Sequence, residues 1–487
     1  MSRVLAVDIG ASSYRIIEGI YTDGKLSTQE LARFKHAPIY ESGHYYWDVT
    51  HMTRNLVQTI KSIAGHGERI CSIGFDTFGT DFGLLDSKKK LLANPLAYRD
   101  NISAGMYEQY FQQEDLLYKR VGGTYTDTST AHLLKGMVAK EYPVLQKAEY
   151  LLLMPDLLAY FFTGSIVNEY TIATTSRLID IENRTWDKDL IKQLGIPERI
   201  FHTLSDSGTI VGKLRKKIKE GIPNLEDTVV TATVCHDTAA AVVTIPTMEN
   251  CSFISSGSWS VKGVISDRPL ISQAARRYKM SNEGQPKGWY RLIRNITGLW
   301  LLEECVRGWK EEGKIVNIPD LAEHVRKAKD FPTMIYTDAK EFIKPGNMPE
   351  KIKKYCLDTR QRVPDTPLEI MQTIINGLVL EYRRHNEELA AVLGKKIQYL
   401  YIVGGGTNNQ YLNQCTADAT GCIVICGHPE AAALGNILIQ LWAQQEIESL
   451  EQFTEIVTKD IPEKKFHPDN KKKWDKRYEF YMELVKI

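Results

Sequence analysis

Residues 5–15 read LAVDIGASSYR: an apolar run closes on the acid Asp8, passes Gly10 and the small residues Ala11, Ser12 and Ser13, and resumes with Tyr14, Arg15, Ile16 and Ile17. A carboxylate at the end of a buried strand, followed by residues with almost no side chain, leaves space against the backbone where a hairpin turns. Working outward, residues 4–9, 15–21 and 70–75 read as strands, and Met52, Leu56, Val57, Ile60 and Ile63 fall at helical spacing within 50–64. Short strands followed by helices predict α/β layers. Helical stretches follow at 101–121 and 130–142, and the charged stretch 211–227, with its Gly and Pro, reads as a surface connection. A strand at 228–234 then runs into Cys235-His236-Asp237, and a helix begins at Thr238.

After residue 245 the pattern restarts. Residues 251–263, CSFISSGSWSVKG, again run strand, small-residue turn, strand, and echo the opening stretch in form. A single echo is no short-period repeat, so a solenoid is not indicated. Two similar domains, 1–245 and 246–487, are the division this predicts. The second half holds a long helix at 368–393, a strand at 398–403, the triple Gly404-Gly405-Gly406 and a helix near 429–443.

Bulk properties narrow the classes. A chain of 487 residues exceeds one core and suits about three average domains or two large α/β ones. Lys plus Arg number 61 against 60 for Asp plus Glu, a balance that argues against nucleic acid or a membrane surface as partner. The start MSRVLAVDIG meets Asp8 before a signal-peptide core can form, and the apolar runs 151–154 and 157–162 fall far short of the roughly 20 residues of a bilayer span. The 8 cysteines include no CxxC pair and no His at zinc-finger spacing, which predicts reduced thiols in the cytoplasm.

Phosphate-binding devices are then sought one by one. Neither GxxxxGK[ST] nor GxGxxG occurs. Asp81-Phe82-Gly83 spells a protein-kinase tripeptide, but Arg99-Asp100-Asn101 follows it where the catalytic loop should precede it. What remains is the turn Gly10–Ser13, the turn at 255–258 and the triple glycine, each able to admit a polyphosphate close to the backbone. Asp8, beside the first, is placed to hold Mg²⁺ through water against those phosphates.

These residues, with YYWDV (45–49), SIGFDTFGTDFGLLD (72–86), AYRD (97–100), LLLMPDLLAYFFTG (151–164), HDTAAAV (236–242), SSGSWS (255–260), NEG (282–284), RNITGLWLLE (294–303) and YIVGGGTNNQYLNQCTADATG (401–421), resemble the FGGY carbohydrate kinases of the actin-like ATPase superfamily, and among them the rhamnulokinase group. The resemblance implies an α/β fold of two ribonuclease H-like (actin-like ATPase) domains, each a mixed five-stranded sheet flanked by helices, with a ligand cleft between them. It implies ATP and Mg²⁺ as cofactors and phosphorylation of the O1 hydroxyl of a ketose, with L-rhamnulose the first expectation. Another ketose or polyol, such as L-fuculose or a pentulose, is the alternative, as is a catalytically weakened sugar- or nucleotide-binding regulator. The chain is expected as a cytoplasmic monomer or homodimer. By the same resemblance Asp237 is the catalytic base, and Gly79, His236, Thr238 and Asn295 join it in binding sugar; Asp81, which could instead cap its own turn, is also expected to contact the sugar. Ala11, Ser12, Ser13, Tyr14 and Arg15 form the first phosphate loop, Gly257 and Ser258 the second, and Glu303, Gly404 and Gly405 meet the nucleotide.

Plainer readings stand beside these. Asp237 could cap its helix, His236 could be a packed core imidazole, and Trp47 could be core or a sugar-stacking platform. Asp156, Glu169 and Tyr170 read as a brace for the first domain. The chain also departs from the rhamnulokinase pattern. Tyr14 replaces a Gly, so it is either strained by a positive φ or lies over the cleft mouth. Ser258 replaces Thr at the cost of a methyl, and NEGQP replaces an NEGG-type turn. Glu303 replaces Gln and sets a negative charge near the nucleotide unless a Lys or Arg pairs with it.

Overall fold

The structure is a computed structural model that describes residues 1–110, 114–126, 128–246, 248–342, 344–460 and 463–486. The chain forms two compact units. The first takes Met1–Pro246 and is completed by two later segments, Ile265–Leu292 and Ala431–Lys459. The second takes Thr247–Val264, Ile293–Glu430 and Asp460–Ile487. The division 1–245 and 246–487 is thus coarser than the units, because the chain returns twice to the first.

The first unit is built on strands β1 (Ser2–Ile9), β2 (Ser13–Thr22), β3 (Lys25–Lys35), β4 (Ser72–Thr77), β5 (Thr209–Lys213) and β6 (Val229–Ala232). Their order is β5-β6-β4-β1-β2-β3. β1 runs antiparallel to β2 and parallel to β4, and β4 runs parallel to β6. Five of these strands are the sheet expected. The sixth, β5, pairs antiparallel at the edge and runs into the start of the stretch read as a surface connection. Its Gly and charged residues hid a half-exposed edge strand.

Alternation along the strands decides what each face meets. Leu5, Val7 and Ile9 of β1 and Ile73 and Phe75 of β4 pack with Met52, Leu56 and Ile60 of the helix Val49–Gly65 and with Leu158 and Phe162 of the helix Met154–Thr163. Val4 and Ala6 pack on the opposite face with Ala239 and Ala240 of the helix Asp237–Val243 and with Ala433, Leu434, Ile437 and Leu438 of the helix Ala431–Ala443. Asp8 shares the phase of Val4 and Ala6, and Asp76 that of Ser72 and Gly74. The period of two therefore turns both acids toward this second pair of helices.

The second unit repeats the plan. Strand β7 (Cys251–Ser256) forms an antiparallel hairpin with β8 (Trp259–Ser266) and runs parallel to β10 (Tyr399–Val403); β8 at its end and β9 (Tyr290–Thr297) near its start each span a boundary between segments of the two units. β11 (Ile423–Cys426) runs parallel to β10, and β12 (Lys464–Phe466) closes the edge antiparallel. The helix Pro367–Leu393 starts with a capping box between Thr366 and Glu369 and ends at Gly394 in the left-handed conformation.

Candidate functional site

In the first unit the site gathers at the carboxyl ends of the parallel strands. Asp8 stands opposite Asp76 on β4 and opposite Arg15 on β2. Arg15 donates to Asp8 Oδ2 from Nε at 2.9 Å and from Nη2 at 2.7 Å. Thr77 pairs with His236, and the Thr77 N–H donates to Cys235 O at 2.9 Å, so the 235–237 segment is aligned with the end of β4. Asp237 is the first residue of its helix and His236 its N-cap. The N–H of Thr238 donates to Asp237 Oδ1, as does its hydroxyl at 3.1 Å. Among the described residues Asp237 Oδ2 has no donor, and the side chain keeps 32% of its surface exposed. Loss of water around it raises the Asp237 carboxyl above its ordinary value; His236 opposes the shift and the charge of Asp8 adds to it.

Asp76 is the group that sequence reasoning left without a role. It is fully buried, accepts from Asn436 Nδ2 at 2.6 Å through Oδ2, and has no partner at Oδ1. Burial, with the charges of Asp8 and Asp237 behind it, pushes its carboxyl well up. Its place at the end of a strand in register with Asp8 was the available signal.

The turn after β4 carries the expected sugar residues. Gly79 packs so tightly on Thr175 that an added Cβ would lie 3.0 Å from the Thr side chain. Thr80 holds a positive φ of 79°, a strained state for a β-branched residue. Hydrogen bonds grip it from both sides: its N–H donates to Thr175 Oγ1 at 3.0 Å and its carbonyl accepts from Thr130 Oγ1 at 2.5 Å. Asp81 is 1% exposed and accepts from Trp47 Nε1 at 2.5 Å. The Trp47 ring is itself buried and packs on His36 and Phe78, so it belongs to the core. Glu169 accepts from Thr171, Ser207 and the Cys235 N–H, which makes it a support beneath His236.

Tyr14 departs from both expectations. It has no positive φ, and its ring does not lie over an opening: it is 2% exposed, stacked on Phe34 at 4.9 Å, with its hydroxyl accepting from Asn55. Alternation along β2 explains this. Arg15 takes the face of Asp8, so Tyr14 falls on the face of the helix Val49–Gly65 and can offer a ligand only its backbone.

In the second unit Gly257 and Ser258 turn between β7 and β8. The N–H of Leu299 donates to Gly257 O and that of Trp300 to Ser258 O, which ties the turn to the start of the helix Trp300–Glu311. The Ser258 hydroxyl donates to the Glu303 carboxylate at 2.9 Å. Among the described residues no Lys or Arg pairs with Glu303. Ser255 stands beside Val403 in the sheet, so the Ser258 turn and the triple glycine are neighbours. A Cβ on Gly404 would come 2.8 Å from Ser256 O, and one on Gly406 2.1 Å from Ser256 Oγ, while Gly405 faces open space. Asn295 is exposed on β9 in this unit, away in sequence and unit from Asp237.

Residues 3–244 match the N-terminal domain, and residues 252–444 the C-terminal domain, of the FGGY family of carbohydrate kinases. The chain belongs to that family. The kinase is 35% identical to a rhamnulokinase of Oceanobacillus iheyensis over 93% of its own length and 96% of the relative's. It is 34% identical to a rhamnulokinase of Bacteroides thetaiotaomicron over 99% of both. Among solved structures its fold matches a ligand-bound xylulose kinase from Lactobacillus acidophilus with a TM-score of 0.81 at 13% identity, covering 100% and 98% of the two chains. It matches Plasmodium falciparum glycerol kinase with ADP at 0.77 and 15% identity, over 100% and 98%. Among the described residues of this carbohydrate kinase no helix is long and apolar enough to cross a membrane.

The first unit of the kinase thus brings Asp8, Gly79, Asp81, His236, Asp237 and Thr238 onto one end of one sheet. The second brings Gly257, Ser258, Glu303, Gly404 and Gly405 together. Among the described residues no three His, Cys, Asp or Glu side chains form a metal cage. Mg²⁺ needs no such cage, since it is usually held by one or two carboxylates, phosphate oxygens and water. The acids Asp8, Asp76 and Asp237 gathered here suit a hydrated cation, and Arg15 donates to Asp8 through Oδ2.

Proposed function

We propose that this carbohydrate kinase transfers the γ-phosphoryl group of ATP to the O1 hydroxyl of a ketose, L-rhamnulose above others. The observation that carries the reading is the state of Asp237. One carboxylate oxygen is tied by Thr238, the other is unpartnered among the described residues, and loss of water raises the carboxyl's pKa, which makes its carboxylate a stronger base. Asp237 Oδ2 takes the proton from O1 as that oxygen attacks the γ-phosphorus, and the product leaves as the ketose 1-phosphate with ADP. Thr238 fixes the orientation of the base, while His236 and the Gly79 turn hold the sugar. Phosphoryl transfer depends on positioning and charge neutralisation more than on covalent chemistry. In the first unit the small residues Ala11–Ser13 would let phosphate approach the backbone, and in the second unit Ser258 and Gly405 would do the same for a nucleotide. Mg²⁺, held by Asp8 through water, would neutralise phosphate charge. Cytoplasmic placement accords with the free state of all the cysteines.

The names borne by the rhamnulokinase relatives favour L-rhamnulose. A coupled ADP assay of the purified enzyme against L-rhamnulose, L-fuculose, L-ribulose, D-xylulose, gluconate and glycerol tests the choice. The highest kcat/KM is expected for L-rhamnulose, with the phosphate on O1 of the product. Negligible turnover of L-rhamnulose beside efficient use of another acceptor would reject it.

A further inference from the structure

His236 is held from behind by a buried ionic cluster. Arg291, fully buried on β9, points Nη2 at His236 Nδ1 across 2.5 Å and donates from the same atom to Glu283 Oε2 at 2.6 Å. Its Nη1 donates to Gly284 O at 2.6 Å. Arg177 meets the other oxygen, Glu283 Oε1, at 3.1 Å. Glu283 Oε2 lies 3.3 Å from His236 Nδ1, and His236 Nε2 lies 3.5 Å from Asp237 Oδ1. Burial by itself would push the Glu283 carboxyl up; the guanidinium charges of Arg291 and Arg177 hold it well below the ordinary range instead. The cluster is anchored as a block, since Asn282 donates to Gly122 O and the Gly284 N–H to Thr174 Oγ1.

A guanidinium is always protonated and can only donate. A nitrogen 2.5 Å from Arg291 Nη2 must therefore be an acceptor, so Nδ1 carries no proton and the imidazole proton sits on Nε2. We propose that Arg291 and Glu283 are positioning residues that lock His236 as the Nε2–H tautomer, so that the ring presents a donor to Asp237 and to an oxygen of the bound sugar. Glu283 fixes the fork of Arg291, and Arg291 fixes the imidazole. Without Arg291, the nearest group to Nδ1 is the Glu283 carboxylate, an acceptor. The tautomer would then reverse, and Nε2 would turn a lone pair toward the base. The sequence marked NEG only as a motif and gave Arg291 no role, because neither acts on a ligand directly.

The proposal rests on Asp237 being the base, and its test separates the two. Long-range ¹H–¹⁵N correlation NMR on the full-length, ¹⁵N-histidine-labelled kinase, with His236→Gln to assign the signal, reads the tautomer directly. Nε2–H is expected in the wild-type protein. In Arg291→Met the signal is expected to switch to Nδ1–H, with kcat down about tenfold and KM for the sugar changed by less than about twofold, a split that general loss of structure does not produce. An Nδ1–H imidazole in the wild-type protein overturns the lock whatever Asp237 does, and needs no variant to fold. A switched tautomer with unchanged kcat overturns it as well. An active Asp237→Asn enzyme, by contrast, removes the base and leaves the tautomer as measured.

Discussion

Asp81 shows how a single carboxyl can reveal its surroundings. Burial raises it from 3.8 to about 8, against the opposing donation from Trp47 Nε1. The folded protein therefore keeps this proton across a range in which the unfolded chain has lost it. The folded state binds more protons between those two values, so the contribution of Asp81 to stability is full below pH 3.8, falls as pH rises, and is gone above about 8. Asp81→Asn keeps an acceptor for Trp47 and cannot ionise. Urea denaturation should show its stability rising relative to the wild-type protein between pH 5 and about 8, and a constant difference would contradict the buried, proton-bearing state. The sequence placed Asp81 beside the sugar turn, but could not show that Trp47 covers it.

At the scale of elements, the helices 237–243 and 431–443 pack almost backbone to backbone. The stretches TAAAVV and AAALGN read as ordinary helices, and their small residues have a use only once the two lie together. A Cβ on Gly435 would stand 1.9 Å from Ala240 O and 2.7 Å from its carbonyl carbon. The next residue, Asn436, donates to Asp76, and the helix that would be pushed away begins at Asp237. Gly435→Ala should lose about 1–3 kcal/mol, the range of an overpacked core, and lose kcat with it. Thermal and urea melts alongside turnover check both, and a variant of wild-type stability would show that the helices are not in contact as described. The strands were more legible than this packing. Period-two alternation and the small-residue turns marked β1, β2, β7 and β8, whereas the edge strand β5 was hidden by its charge and glycine.

At the scale of the molecule, the echo between residues 5–17 and 251–263 is the trace of one plan used twice. In each unit a hairpin is followed by two parallel strands and an antiparallel edge. Periodicity identifies a helix without saying which unit it joins, so the return of 431–459 to the first unit was not readable. The residues we propose to face ligands were named by motif: Asp8, Gly79, His236, Asp237, Ser258 and Gly405. Of the residues that hold them only Glu169 was singled out, as a brace; Asp76, Thr80, Glu283 and Arg291 act through burial, backbone strain and ion pairing, which leave no spacing signature. The most direct measurement is the turnover of L-rhamnulose and ATP by Asp237→Asn, with sugar affinity followed by calorimetry. The account predicts a loss of kcat of at least about a hundredfold with sugar binding retained; near-normal kcat in a variant that binds sugar would contradict it.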